Sequence, residues 1–232
     1  MDSESARALF SAFIVVASML LVGFPVHEYM HAWAAYRQGD NTARWQGRLT
    51  LDPRVHFDRM GGSILAVTAI FSAFGGGILF GWARPTPVNP MNLVNGRRSE
   101  ALVAFAGPLS NLVIAAIVAI PMRIILANED LRRYFLFESD LARLFFDVGW
   151  LLLGLNILLF IFNLIPVPPL DGWRVLTGIV PTNTYYQLRE LEQRYANIIP
   201  MIFMGLILII FISGAGFLGA IIGGLRNLLL GI

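Results

Sequence analysis

Three residues near the N-terminus, His27, Glu28 and His31, have the types and the spacing of a metal-hydrolase motif, H-E-x-x-H. Residues four positions apart on a helix share a face, about 6 Å apart along the axis, so both imidazoles can bind one zinc ion. Glu28 can then reach a water at an open coordination position and accept its proton. Zinc lowers the pKa of such a water, so the motif predicts metal-assisted hydrolysis.

A catalytic zinc site usually has a third protein ligand, which here must be a histidine or a carboxylate because the chain has no Cys. Asp171 is the best candidate: prolines between residues 166 and 169 break the preceding apolar segment, and Gly172 allows a tight turn beside it. The alternative is that Asp171 caps a helix beginning at Trp173 and that His56 completes the site. His56 lies in a polar loop and is expected at the surface.

The composition is that of a membrane protein. Hydrophobic residues make up 56% of the 232 positions and charged residues only 14%, against about 25% charged in a soluble domain. The formal charge of +2 is too small to indicate nucleic-acid binding. We expect one membrane domain over residues 1–232, with core motifs at 27–172 and C-terminal helices at 198–232.

Five apolar stretches, several about as long as the 20 residues that cross a bilayer, predict an all-α polytopic fold of five to six apolar segments around a three-helix catalytic core. They are residues 9–26, continuing as a helix to about 36, then 64–80, 101–127, 144–165 and 198–232. The last is long enough for two short helices broken near residues 214–219. Residues 43–51 alternate weakly and predict a small β hairpin at the membrane surface, suited to holding an unwound substrate by β-augmentation.

The order of three motifs resembles the site-2 protease family, zinc metalloproteases that cut their substrates within the membrane. The motifs are H-E-x-x-H at residue 27, G-P-x-x-N at residue 107, and N-x-x-P-x-x-x-L-D-G ending at residue 172. The resemblance implies that His27, His31 and Asp171 bind zinc and that Glu28 is the base. It also implies that Asn111 and Asn163 lie near the site and help to hold the substrate backbone or the oxyanion. The chain resembles a minimal core, with an extra apolar block, 64–80, between the first two motifs.

The direction of the apolar segments constrains the topology. The H-E-x-x-H motif and Asp171 both lie at the C-terminal end of an apolar block, so these two blocks must run in the same direction to share a metal ion. Only one of the two blocks between them can then cross the membrane completely. Residues 75–77 are all Gly, and three Pro follow by residue 90. Block 64–80 is therefore the predicted re-entrant segment.

In this topology the arginines are concentrated on one side of the membrane, which the positive-inside rule identifies as the cytoplasmic side. With block 64–80 re-entrant, the active-site side collects 11 Arg and the other side 5, with Arg226 unassigned. The 11 are Arg37, Arg44, Arg48, Arg54, Arg59, Arg84, Arg97, Arg98, Arg174, Arg189 and Arg194. The other five are Arg7, Arg123, Arg132, Arg133 and Arg143. We therefore expect a multi-pass protein of the cell membrane with its active site towards the cytoplasm.

These features favour an enzyme, a zinc-dependent endopeptidase that binds one Zn²⁺ and cleaves a single-pass membrane protein within the bilayer. The alternative is a non-enzymatic zinc protein, a transporter or metal sensor. A transporter would need several ionisable residues along the membrane path. Well inside the apolar blocks, acids and histidines occur only at the motif, which favours the enzyme.

Overall fold

The computed structural model describes residues 3–74, 80–199, 201–203, 205 and 216–232. Regular structure in these residues is helical, and none of them forms a strand. The helices are α1 (Ser3–Ser18), α2 (Phe24–Arg37), α3 (Thr42–Trp45), α4 (Pro53–His56), α5 (Arg59–Ala73), α6 (Arg97–Ala127), α7 (Glu129–Arg133), α8 (Asp140–Asn163), α9 (Asp171–Ile179), α10 (Thr182–Arg194) and a C-terminal helix, Gly216–Leu230. Two π-helical turns, Met19–Gly23 and Tyr134–Glu138, and a 3₁₀ turn, Pro90–Asn92, lie between these helices.

Three helices in the described part of the chain are long and apolar enough to cross a membrane: Leu9–Arg37, Arg97–Ala127 and Asp140–Asn163. The first joins α1 and α2 through the π-helical turn, which lies where Pro25 has no N–H to donate to the preceding turn. The predicted membrane character of the chain is therefore confirmed.

Helix α6 lies at the centre and packs against α2, α8 and α9. Its small residues Ala115 and Ala119, four positions apart, face the buried Leu153 and Ile157 of α8 in one hydrophobic cluster. Small side chains allow two membrane helices to approach closely. This close packing fixes α8 against the C-terminal half of α6.

Helix α5 packs along α1. The chain that follows α5 returns to the end at which this helix begins. The helix has 15 residues, about 22 Å, which is shorter than the bilayer core of about 30 Å. On the return, the backbone of Phe80 is hydrogen-bonded to the Thr68 hydroxyl, and the Arg84 N–H donates to the His56 carbonyl at 2.8 Å. Residues 56 and 84 thus lie at the same end of α5.

The structure contradicts one expectation, and a second concerns residues that are only partly described. The β hairpin predicted at residues 43–51 was wrong, because this segment begins within α3 and continues in turns. Its amides bond back along the same chain, as in the Arg48 N–H to Ala43 carbonyl contact at 2.8 Å, so no second strand is paired. The helix break expected near residues 214–219 falls partly outside the described residues.

Candidate active site

His27 and His31 lie one turn apart on the same face of α2, and both are buried. Their Nε2 atoms are 3.0 Å apart, and the rings meet edge to face with centroids 4.7 Å apart. The helical spacing predicted from the sequence therefore aims both imidazole nitrogens at one point.

Asp171 joins these histidines from the first residue of α9. Its Oδ2 lies 3.3 Å from Nε2 of His27 and 3.2 Å from Nε2 of His31. The turn that brings it there is tight: a Cβ on Gly172 would lie 2.3 Å from the Leu164 carbonyl oxygen at the end of α8. Gly is needed there because the backbone passes too close for a side chain.

The three atoms fit a zinc ion. Tetrahedral coordination at about 2.0–2.2 Å separates neighbouring ligand atoms by about 3.3–3.6 Å, and the three separations here are 3.0, 3.2 and 3.3 Å. Among the described residues, His27, His31 and Asp171 form the group of three or more His, Asp or Glu side chains arranged to hold a metal. The donor set, two imidazoles and one carboxylate, also suits zinc.

The other ring nitrogen of each histidine is hydrogen-bonded away from this point. Nδ1 of His27 lies 2.7 Å from Oδ1 of Asn111, and Nδ1 of His31 lies 2.8 Å from the Val103 carbonyl oxygen. Both acceptors require an N–H at Nδ1, which leaves the Nε2 lone pairs directed at the metal position. Such partners fix the tautomer and the orientation of metal-binding histidines.

Asn111 is itself held in place. Its Nδ2 donates to Oδ1 of Asn156 at 3.2 Å, and Nδ2 of Asn156 donates to the Leu152 carbonyl at 2.9 Å. Both asparagines are buried. A chain of hydrogen bonds therefore runs from α8 through α6 to His27.

Gly107 lets α6 approach the two histidines. A Cβ at this position would lie 2.3 Å from Nε2 of His31 and 2.8 Å from Nε2 of His27. These are non-bonded distances that no real side chain tolerates. The glycine of the G-P-x-x-N motif therefore leaves room beside His27 and His31.

Glu28 is buried next to His27 and is bound by a residue distant in sequence. Its Oε2 accepts the Thr86 backbone N–H at 2.7 Å, and its carbonyl oxygen accepts the Thr86 hydroxyl at 2.9 Å. In the described part of the chain, Oε1 has no hydrogen-bond partner. One carboxylate oxygen is thus fixed, and the other remains for a water molecule.

The remaining candidates, His56 and Asn163, are hydrogen-bonded to backbone carbonyls near them in sequence. His56 is buried, against expectation, with Nε2 donating to the Thr50 carbonyl at 2.7 Å; burial lowers the pKa of its imidazole. Asn163 is half-buried at the end of α8, where its Nδ2 donates to the Leu159 carbonyl at 3.0 Å.

The sequence analysis did not predict four features that position the site residues. They are the Val103 carbonyl, the space that Gly107 leaves beside the histidines, Asn156 and Thr86. Only Asn156 carried a clear signal, as a polar residue inside an apolar helix.

Comparison with known proteins agrees with this geometry. The model of peptidase family M50 matches residues 13–210, which include His27, His31 and Asp171. The chain belongs to peptidase family M50. It is therefore a membrane metalloendopeptidase with zinc as its cofactor, which confirms the family, enzyme class and cofactor predicted from the motifs.

Curated relatives carry corresponding names. The chain is 38% identical over 173 residues to "Putative zinc metalloprotease YwhC" of Bacillus subtilis, covering 75% of this chain and 72% of that protein. It is 33% identical over 192 residues to "Putative zinc metalloprotease Rip2" of Mycobacterium tuberculosis, covering 83% of this chain and 67% of that protein. The Rip2 protein of Mycolicibacterium smegmatis is 32% identical over 193 residues. No solved structure matches the chain.

Proposed function

We propose that this M50 peptidase cleaves membrane-spanning segments within the bilayer, with zinc held by His27, His31 and Asp171 and with Glu28 as the general base. The observation that carries the proposal is the buried triangle of two Nε2 atoms and one Oδ2 atom with edges of 3.0–3.3 Å. Glu28 follows the first ligand directly in sequence. The donor set and the base match a hydrolytic zinc centre.

The depth of the triangle supports cleavage inside the membrane. His31 is six residues from Arg37 at the end of α2, about 9 Å along the axis. Gly107, beside both histidines, is ten residues from Arg97 at the start of α6, about 15 Å along the axis. The ligand atoms therefore lie inside the bundle, below the ends of its apolar helices.

In the reaction, zinc would polarise the scissile carbonyl and lower the pKa of the attacking water. Glu28 accepts the proton of that water through Oε1 and returns it to the leaving amine, so the carboxylate ends the cycle unchanged. Asn111 and the Val103 carbonyl keep both imidazoles in the ligand tautomer. The buried surroundings exclude bulk water and strengthen each of these electrostatic interactions.

The substrate class follows from the site's position. A membrane helix hides its peptide bonds in internal hydrogen bonds, so the segment of a single-pass substrate must unwind before it is cut, and helix-breaking residues should favour cleavage. We assign Asn163 to contact with the substrate backbone. Asn111 is better suited to orient His27 than to bind substrate, since its amide already bonds to His27 and Asn156.

The proposal predicts that cleavage depends on one bound metal ion. Purified protein in proteoliposomes should contain one zinc per chain and cut a single-pass membrane protein carrying a helix-breaking sequence. Chelation should abolish cleavage, and stoichiometric zinc should restore it, because the ligands remain while the Lewis acid is removed. Zinc content and product formation are measured on the same sample. Full zinc occupancy without cleavage of any membrane substrate would support the transporter or sensor alternative instead.

We further propose that Leu9–Arg37, Arg97–Ala127 and Asp140–Asn163 each cross the membrane completely, with α5 and its return as a re-entrant segment and the active site towards the cytoplasm. The contacts of residues 80 and 84 with residues 68 and 56 support the re-entrant path. The 11 against 5 distribution of Arg supports the orientation.

Single cysteines in the native Cys-free chain test this topology. Trp45→Cys and Met91→Cys lie at exposed positions before and after the re-entrant segment, and Phe137→Cys is exposed between α6 and α8. An impermeant thiol reagent should label the first two from the cytoplasmic face and the third from the opposite face. Labelling of Trp45→Cys and Met91→Cys from opposite faces would show that α5 spans. Labelling of both from outside would reverse the orientation.

A further inference from the structure

Residues 84–89, here called the strap, have no regular secondary structure and pass Glu28 between the return segment and the 3₁₀ turn Pro90–Asn92. The strap reads Arg-Pro-Thr-Pro-Val-Asn. Its middle residue, Thr86, makes two hydrogen bonds to Glu28: the N–H donates to Oε2 and the hydroxyl donates to the carbonyl oxygen. The strap therefore touches the base rather than the metal ligands.

Arg48 holds the N-terminal end of the strap. It is only 4% exposed, and its guanidinium donates to the carbonyl oxygens of Val55, Arg84 and Pro85. None of these partners is a carboxylate. Burying a guanidinium is costly unless its donors are paired, and here these carbonyl oxygens accept from both terminal nitrogens of Arg48.

Asp40 holds the C-terminal end. It is fully buried, and its carboxylate accepts the Asn89 backbone N–H at 2.7 Å and the Asn92 side-chain amide at 2.9 Å. Burial alone would raise the pKa of Asp40, but hydrogen bonds from Thr42, Asn92 and Asn89 hold it below its ordinary value. The strap is thus fixed at both ends by buried charged groups of opposite sign.

The backbone of the strap differs from an exposed β-sheet edge, which offers a row of unpaired N–H and C=O groups to a partner strand. Pro85 and Pro87 have no N–H. The N–H groups of Arg84, Thr86 and Asn89 already donate to His56, Glu28 and Asp40, respectively. These donors are directed into the protein, which favours a positioning role over pairing with a substrate strand.

We propose that the strap fixes the carboxylate of Glu28 for proton transfer, with Thr86 as the residue that contacts the base and Arg48 as the residue that holds Thr86 in place. Both are positioning residues, because neither touches the metal ligands. The inference rests on the proposed role of Glu28 as the base. It predicts that strap variants lose turnover while they keep zinc and substrate affinity.

Arg48→Met removes the donors to the Arg84 and Pro85 carbonyl oxygens. Arg54→Met is the matched control, because Arg54 is exposed and pairs only with Asp52 among the described residues. We expect kcat of Arg48→Met to fall roughly 10- to 100-fold, the usual effect of removing an orienting partner. KM and zinc content should be unchanged, Arg54→Met should match wild type, and Arg48→Lys should recover part of kcat.

Two changes at Thr86 test the contact itself and do not depend on how well Arg48→Met folds. Thr86→Pro deletes the N–H that binds Oε2, in a position already restricted to extended conformations by Pro87. Thr86→Val keeps this N–H and deletes only the hydroxyl. Thr86→Pro should lose kcat roughly 10- to 100-fold with full zinc occupancy, and Thr86→Val should lose much less.

Glu28→Gln, measured beside these variants, separates the strap inference from the proposed role of Glu28 as the base. If Glu28→Gln is inactive while Thr86→Pro and Arg48→Met turn over like wild type, the strap inference is overturned and the base assignment stands. If Glu28→Gln is active, the proposed function itself is wrong. Loss of zinc from Thr86→Pro, or equal losses in Thr86→Pro and Thr86→Val, would also overturn the inference, because either result points to a general structural role.

Discussion

Glu28→Gln is expected to bind one zinc per chain and to lose cleavage by roughly 10²–10⁴-fold, the usual contribution of a general base. The change keeps the size and the hydrogen-bonding shape of the side chain. Its amide can still accept the Thr86 N–H, so the surroundings should not move. What is lost is the ability to accept a proton from water, because an amide is not basic near neutral pH.

Zinc content and single-turnover cleavage of the purified variant check this result. Asp58→Asn is a matched control, since it makes the same acid-to-amide change at a helix N-terminus, where the side chain accepts the Gly61 N–H. This variant should match wild type in both measurements. Retention of more than about a tenth of wild-type turnover by Glu28→Gln would contradict the base assignment, because general-base catalysis is worth at least about 10²-fold.

Asp171→Asn should lose both zinc and cleavage. The carboxylate oxygen that lies 3.2–3.3 Å from both Nε2 atoms is replaced by a neutral amide, a poor zinc ligand. Altering even an outer-shell partner of a metal site costs roughly 10- to 100-fold, so we expect cleavage to fall by more than about 100-fold. Metal content after dialysis and cleavage rate are the two measurements.

The competing assignment makes the opposite prediction. If Asp171 only began helix α9 and His56 completed the metal site, Asp171→Asn would stay active, since Asn also serves at a helix start. His56→Gln would then lose zinc. We expect His56→Gln to keep zinc and most activity, because its ring donates to the Thr50 carbonyl outside the metal group. Retained zinc in Asp171→Asn together with lost zinc in His56→Gln would overturn our assignment.

The two histidines and the membrane character could be predicted from the sequence because both depend on local order. The i, i+4 spacing of His27 and His31 places them on one face of any helix, and long apolar segments predict membrane helices before any packing is known. Asp171 was also predictable, since a proline-broken segment followed by Gly marks the place where a backbone can turn inward.

The β hairpin at residues 43–51 shows where local patterns fail. Its weak alternation agreed with a strand, but two short helical turns and the buried Arg48 and His56 organise this region. The backbone carbonyls of residues 84 and 85, which Arg48 binds, lie 36 and 37 positions away in sequence. Strand propensity depends on such contacts, so it could not decide the local structure.

By itself, therefore, the sequence predicted the candidate metal ligands, the candidate base and their place at the end of a membrane helix, since residue type and short spacing carry that chemistry. Only the tertiary structure decided what holds these groups in place. The Val103 carbonyl and the Thr86 N–H belong to the backbone and have no signature in residue type, and Gly107 is informative only once α6 lies against α2. These contacts join residues 58 to 80 positions apart, and such distant groups meet only when the helices pack.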